Sequence, residues 1–484
     1  MNNNRVTKNT FLNTIKSVAS LLFPLITFPY ISRILLTDNV GKINFGNSII
    51  SYFSLIASLG IYTYAIRECS KVRDKKETLN RLASEIYSLN IITTFISYIL
   101  LFFLLIFVAD LENYKFLIVL QSFSILCTTI GADWINYVEE DFGFITARTL
   151  FFQALSIVLM FIFIHQPSDY IKYAFITLLS SSGAQITNII YRRKYCTIKL
   201  TTKINWKKHL QPVLLLFSMQ LAMIIYVNSD VTILGFVKGD TEVGLYSVSV
   251  KVYNIVQIII TAVQNVVIPK LAIHFSKKDY KSVNETLRYA FNFEMVLGLP
   301  CIIGINLVAE GVVLFLAGED YLECIPSLRI LMLALFASSI AGFINNLIML
   351  PSGRDKLCMV SSCISAGLNL VLNLILIPFW GLNAAAFTTL ISMVVGFFIK
   401  YPFVEKEINF RYIFKDSLSP VIGCILMSVD CLLIGQFCKN IYVKTIVQIG
   451  SAVAIYFCTL LVMRNAFLLD SLKPILIKLK KGKN

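Results

Sequence analysis

The chain has 484 residues, 57% of them hydrophobic and 15% charged, and a mean hydropathy of +0.73, whereas an ordinary soluble domain carries roughly 25% charged residues. That balance excludes a water-soluble enzyme and makes lipid the solvent for most of the chain. The net charge of +15 does not call for nucleic acid, because a basic cytoplasmic face beside anionic lipid accounts for it.

About fourteen apolar stretches are long enough to cross a hydrocarbon core, which takes about 20 residues each. They are expected near 11–36, 43–66, 82–108, 116–137, 146–165, 171–191, 210–236, 244–267, 286–309, 325–350, 358–378, 382–401, 416–438 and 441–463. The first is full length and no small-residue cleavage site follows it, so it is expected to remain as a helix. Basic residues fall in alternate loops. They cluster at the N-terminus (Arg5, Lys8, Lys16), after the second span (Arg67 to Arg81), after the sixth (Arg192 to Lys208), after the eighth (Lys270 to Arg288), at Arg354 and Lys356, at Lys400 to Lys415, and in the tail from Arg464 to Lys483. The intervening loops are short and poor in base. Short basic loops stay in the cytoplasm, so both termini are expected there, with an even number of spans.

Polar residues recur at helical spacing inside several spans. The second carries Asn44, Asn47, Ser48, Ser51, Ser54 and Ser58; the eighth carries Ser247, Lys251, Asn254, Gln257, Thr261 and Gln264; the eleventh carries Ser362, Ser365, Asn369 and Asn373. In a membrane such residues must face protein or water. Ser alone reads as helix-to-helix glue, while stripes with Asn, Gln and Lys favour a wet cavity.

A charge at a helix centre costs roughly 2.5–3.5 kcal/mol on insertion, which singles out Arg33, Asp133, Asp230, Lys251 and Arg329. Arg33 and Arg329 lie near the outer ends of their spans, within snorkelling reach of the interface. Lys251 lies about two turns inside its span, and Asp230 is at a depth that permits a pair with it. Such a pair reads either as a static salt bridge or as a coupling site, where protonation or ion binding at Asp230 frees Lys251 for an anionic substrate. The eleven cysteines and three histidines contain no CxxC and no metal-ligand spacing.

A short internal repeat is present. LLTDNVGKINFGNSI from Leu35 and GDTEVGLYSVSVKVY from Gly239 align Val40-Gly41 with Val243-Gly244, 203 residues apart. It suggests two six-helix halves, 1–209 and 210–404, with 405–484 holding two extra helices and a basic tail. Repeats of this kind build central sites in secondary transporters.

The segments FPLITFPYISRILLTDNVGKINFGNSIISYFSLIASLGIYTYAIRECSK, DWINYVEEDFGFITAR and EVGLYSVSVKVYNIV resemble the polysaccharide (O-antigen repeat-unit) flippases of the multidrug/oligosaccharidyl-lipid/polysaccharide exporter superfamily. The resemblance implies an all-α integral membrane protein with two pseudo-symmetric six-helix bundles in a V, as in multidrug exporters, plus two C-terminal helices. It implies a lipid-linked oligosaccharide as substrate, a bacterial inner membrane as location, and polysaccharide polymerase and chain-length machinery as further partners. By position, Arg33 matches the arginine of the family's YISR segment, Arg67 and Glu68 its Arg-Glu pair, Asp133, Trp134, Glu140 and Arg148 its fourth-helix pattern, and Lys251 the lysine of GxYSxxxK. Tyr137 and Val138 depart from the Gln-Gly pair common there.

A polyprenyl diphosphate head needs cations and hydrogen-bond partners away from lipid, and arginine and lysine supply them. Arg33, Asn44, Asn47, Arg67, Ser247, Lys251, Asn254, Gln257 and Arg329 are therefore the candidate cavity residues, and Asp230, Lys251, Asp133 and Glu68 the candidate coupling residues. No organic cofactor or metal is expected; proton, sodium and uncoupled movement all stay open. A cation-coupled drug exporter shares the architecture but favours acidic and aromatic groups. A membrane glycosyltransferase or polymerase usually needs a substantial outer loop with catalytic carboxylates, and the longest one here, carrying Glu319, Asp320 and Glu323, reads as a solvated turn. No GxxxxGK[ST] loop for ATP is present.

Overall fold

In a computed structural model, residues 3–438, 440–465 and 467–469 are described; the basic tail from 470 onward lies outside them. Every predicted span falls on helix, the second interrupted at Leu59–Gly60 and the fourth at Ala132–Asp133, and the described residues contain no strand. This follows from the solvent: in lipid each backbone N–H and C=O must be paired within its own segment. α3 (Lys76–Phe107) displays the inversion lipid imposes. It exposes Phe95, Phe102, Phe103 and Phe107 and buries Ser88, Asn90, Thr93, Thr94 and Ser97. The chain is a multi-pass membrane protein.

Two compact units divide the chain, Met1–Gly244 and Leu245–Asn484. The first holds α1 (Asn3–Ser58), α2 (Ile61–Ser70), α3, α4 (Lys115–Gly131), α5 (Trp134–Val138), α6 (Phe142–Phe163), α7 (Tyr170–Tyr191), α8 (Trp206–Lys238) and the first residues of α9 (Asp240–Ser276). α8, which opens the second half in the sequence reading, packs along α1 in this unit through Thr232, whose hydroxyl lies 3.0 Å from that of Ser48 and 3.2 Å from that of Tyr52. The second unit holds the rest of α9, α10 (Tyr280–Phe293), a π-helical segment Glu294–Gly298, α11 (Leu299–Leu307), α12 (Ala309–Leu316), α13 (Ile325–Gly342), a second π-helical segment Phe343–Met349, α14 (Asp355–Trp380), α15 (Leu382–Lys400), α16 (Phe410–Ile413), α17 (Leu418–Phe437) and α18 (Ile441–Val462). α17 and α18 pack on each other and on α11 around Met427, Cys431 and Tyr456.

Among the described residues, twelve helices are long and apolar enough to span a bilayer, against the expected count of about fourteen. Two places make the difference. α1 counts once, yet its 56 residues would run about 84 Å and its backbone breaks at Leu36 (φ 62, ψ 176). α7 is helical over the whole sixth expected span, but it is not among the twelve; Ser180–Ser182, Gln185 and Asn188 lower its hydropathy.

The two copies of the internal repeat meet inside the first unit. A Cβ on Gly41 would fall on the backbone carbonyl of Asp240, and one on Gly244 would fall on that of Thr37. Thr37 and Asp240 are themselves repeat equivalents, as are Gly41 and Gly244, so the contact is reciprocal. Between them the Thr241 hydroxyl donates to Asp38, again an equivalent pair.

Candidate functional site

The first unit encloses a polar chamber built on a helix break. α4 ends at Gly131, Ala132 takes a left-handed conformation (φ 46), and the turn sets Asp133 at the head of the short α5. Arg148, on α6, forms an ion pair with Asp133, their side chains only 5% and 11% exposed. Its second amino group donates to the carbonyl of Ala184 on α7 at 2.9 Å. Asn136 donates to Asp133 at 3.2 Å and to Asn188 at 2.6 Å, and Asn188 donates to the carbonyl of Gly131 at 2.8 Å. The Gly131 carbonyl, freed where α4 breaks, is thus taken up by a side chain of α7, as a buried helix end requires.

Two cavities adjoin this network. One, of about 340 Å³, is lined by Lys16, Asp133, Arg148, Gln153, Ser181 and Gln185 among others. The second, of about 60 Å³, touches Ser54, Ser58, Tyr62, Asn90, Thr128 and Trp134 and shares Asp133 and Gln185 with the first. Trp134 Nε1, Arg148 Nε and Gln185 Oε1 are buried with no hydrogen-bond partner among the described residues. Buried polar atoms are normally paired with protein or water, so these are groups a water or a polar ligand can satisfy. Lys16 donates to the Tyr137 hydroxyl at 2.8 Å beside the larger cavity.

At the start of α6, Asp141 accepts from the hydroxyls of Tyr191 (2.6 Å) and Tyr195 (2.5 Å) and caps the helix through the Phe144 N–H. Burial pushes this carboxyl up, but the hydroxyl and backbone donors outweigh it and hold it below the usual carboxylate range. Arg73 bonds Glu140 at 2.9 Å and closes the same loop.

The sequence candidates are distributed as follows. Of them, Asp133 is in the chamber wall. Arg33 is exposed, with Nη1 donating to the carbonyl of Pro29 at 2.8 Å. Arg67 and Lys71 both pair with Glu68, at 3.0 and 2.8 Å. Asn44 donates to its own helix at Val40, and Asn47 is exposed. Asp230 is buried on α8 in the first unit. In the second unit, Ser247 is buried, Lys251 and Gln257 are half-buried, and Asn254 and Arg329 are exposed. Asn369 and Asn373 of the eleventh stripe are fully buried and bonded to Thr388 of α15, which makes them helix-to-helix contacts.

Sequence reasoning missed two buried clusters. In the first unit, Tyr64 Oη lies 2.7 Å from His209 Nδ1, and His209 Nε2 lies 3.1 Å from Glu85, joining α2, α8 and α3. In the second, Gln264 donates to Glu294 at 2.8 Å. Both carboxylates stand inside expected spans, where a search for every charge within a span finds them.

A family model described as polysaccharide biosynthesis protein matches residues 6–275, more than half of the chain. The chain belongs to this family. Its relatives include a protein of Escherichia coli (strain K12) named for O-antigen transport, 23% identical over 278 residues, which are 56% of this chain and 66% of that protein. A Shigella dysenteriae protein named for the same role is 21% identical over 72% of this chain and 87% of its own length. The fold is similar to that of the lipid II flippase MurJ in an inward closed conformation, with a TM-score of 0.75 at 14% identity, covering 96% of this chain and all of that one. An inward-facing multidrug MATE transporter of the MOP superfamily aligns with a TM-score of 0.59 at 13% identity, over 81% of this chain and 93% of that one. The expected family and the expected exporter fold are therefore both found. In this polysaccharide biosynthesis protein, the matched region includes the whole chamber.

Proposed function

We propose that this chain is a flippase. It moves undecaprenyl-diphosphate-linked oligosaccharide repeat units from the cytoplasmic to the periplasmic leaflet of a bacterial inner membrane by alternating access, for assembly of surface polysaccharide. One observation carries the reading: a chain of the polysaccharide biosynthesis family holds a cavity lined by charged and polar side chains among apolar helices. A soluble head group can be held there while a prenyl tail stays in lipid. The names of the relatives and the MurJ-like fold support a transporter over a glycosyltransferase.

In this proposal Arg33, Arg67 and Lys251 meet the diphosphate or acidic sugars at different stages of the cycle, and Asp230 with Lys251 forms the coupling pair. Both termini are cytoplasmic, and polymerase and chain-length proteins receive the product. The test is movement of a radiolabelled undecaprenyl diphosphate oligosaccharide in proteoliposomes, wild type beside Lys251→Ala, under imposed pH and sodium gradients. Protein-dependent movement lost in Lys251→Ala supports the proposal. Movement of cationic drugs and of no lipid-linked glycan would replace it with the drug-exporter reading.

A further inference from the structure

The second unit contains a directed hydrogen-bond chain that no transport residue named above accounts for. Lys400 Nζ, at the end of α15, donates to Asn345 Oδ1 at 3.4 Å; Asn345 donates to Asn346 at 2.8 Å; Asn346 donates to Gln264 at 2.9 Å; Gln264 donates to Glu294 at 2.8 Å. An ammonium can only donate and a carboxylate can only accept, so the two ends orient all three amides the same way. Such a chain is polarised along its length. Glu294 is 7%, Gln264 2% and Lys400 6% exposed, and none of the ion pairs among the described residues includes Glu294.

The backbone at both key positions is unusual. Glu294 opens the π-helical segment Glu294–Gly298, and Asn345 and Asn346 lie in the π-helical segment Phe343–Met349. Such insertions are rare and occur frequently at functional sites. A cavity of about 20 Å³, lined by Glu294 with Ile260, Phe336 and Ser339, adjoins the carboxyl, about the space one water needs.

From this geometry we infer that Glu294 is a proton-binding site of the second unit, linked through Asn346 and Gln264 to the charge of Lys400. The chemistry selects a proton over a metal cation, because Gln264 turns its NH₂ group toward the carboxyl. Protonation leaves the chain intact, since the acid's carbonyl oxygen still accepts from Gln264, and it leaves Lys400 uncompensated. The titratable groups on the surrounding elements include Lys251, Tyr253, Lys270 and His274 on α9, Arg288 (paired with Asp416 at 2.7 Å) and Tyr289 on α10, Cys301 on α11, Arg329 on α13, Cys424 on α17 and Tyr456 on α18, whose hydroxyl donates to the Val296 carbonyl. Proton binding stands on the geometry alone; its role in coupling rests on the flippase reading.

The test is infrared difference spectroscopy of the full chain in lipid nanodiscs, titrated between about pH 5 and about pH 9. A protonated-carboxyl band that disappears in Glu294→Gln is expected. Lys400→Met removes the compensating charge and should raise the proton affinity of that band by about tenfold or more, with Asn346→Leu moving it in the same direction. If the band persists in Glu294→Gln, or its midpoint stays fixed in both other variants, the inference is wrong. Lys400→Met and Asn346→Leu decide the matter even where Glu294→Gln does not fold. Failure of the wild type to move any glycan overturns the flippase reading alone, because the titration needs no cargo.

Discussion

Leu36 and Gly239, 203 residues apart and equivalent in the internal repeat, hold nearly the same backbone conformation: φ 62, ψ 176 at Leu36 and φ 87, ψ −173 at Gly239. Glycine reaches this region freely, whereas a leucine there is strained by about 1–3 kcal/mol. The strain persists because the reciprocal packing of Gly41 on Asp240 and Gly244 on Thr37 fixes the chain on both sides. Leu36→Gly should relieve it, offset by about 0.5–1 kcal/mol of added unfolded-state freedom, for a net gain of about 1 kcal/mol. Thermal unfolding of the purified protein in detergent reads the gain, and a lower Tm would refute the strain.

The same packing predicts opposite behaviour at its glycines. Gly41→Val drives two methyl groups into the Asp240 backbone, and overpacking of this kind costs about 1–3 kcal/mol. Gly244→Val should cost a similar amount, because its contact with Thr37 is the equivalent one. Unfolding of each variant and of the pair measures both costs; neutral substitutions would show that the close approach does not hold the repeat together.

The Asp133–Arg148 pair gives a charge-balance test. Arg148→Met leaves the Asp133 carboxylate buried without its ion-pair partner, still accepting from Asn136, and breaking a buried pair from one side costs about 3–5 kcal/mol. Asp133→Asn combined with Arg148→Met removes both charges and should recover most of that loss. A double variant no more stable than Arg148→Met would mean that the chamber depends on the guanidinium bond to Ala184 and not on charge balance.

Outside the spans, Asp169 predicts an acid-sensitive turn. Backbone N–H groups of His165 and Gln166 and the ammonium of Lys172 hold its carboxyl at about 2. Its folded value is below its unfolded one, so its contribution is complete above the unfolded carboxylate range, about pH 4, and is lost as the pH falls through about 2. Asp169→Asn should lower the Tm at neutral pH and flatten the fall of Tm with acid. An acid profile parallel to that of the wild type would exclude Asp169 as its source.

Much of this architecture is legible in hydropathy, because each of the fourteen expected stretches is helical. The repeat is legible too, through Val40-Gly41 and Val243-Gly244, since close backbone approach demands glycine at both copies. Partner choice is what the sequence does not carry. Ser48 sits on a polar stripe, but whether its hydroxyl faces water or Thr232 depends on how α8 lies along α1. Asn44 turns its amide back to Val40, so a stripe residue need not contribute to a cavity at all. Asp133 and Arg148 are both recognisable as charged positions, yet their pairing depends on the break at Ala132, where a non-glycine residue takes a left-handed conformation. Glu294 escaped notice because the helix around it is otherwise apolar enough to average the charge away.

His209 makes the same point and yields a further test. It is fully buried between Tyr64 and Glu85, and Glu85 also accepts from Arg81 at 3.2 Å and from the Asn205 N–H at 3.4 Å. The ring therefore ties the start of α8 to α2 and α3. His209→Ala leaves the Tyr64 hydroxyl without its partner and Glu85 Oε2 with only the long bond from the Asn205 N–H, and stranding a buried polar group costs about 1–3 kcal/mol. Tyr64→Phe removes only one bond and should cost less. Unfolding in detergent is expected to rank wild type above Tyr64→Phe above His209→Ala. Amide exchange should rise first at the start of α8 in His209→Ala, because that is the segment the ring secures; exchange rising evenly over the first unit would mean that the cluster stabilises the core as a whole and not this seam.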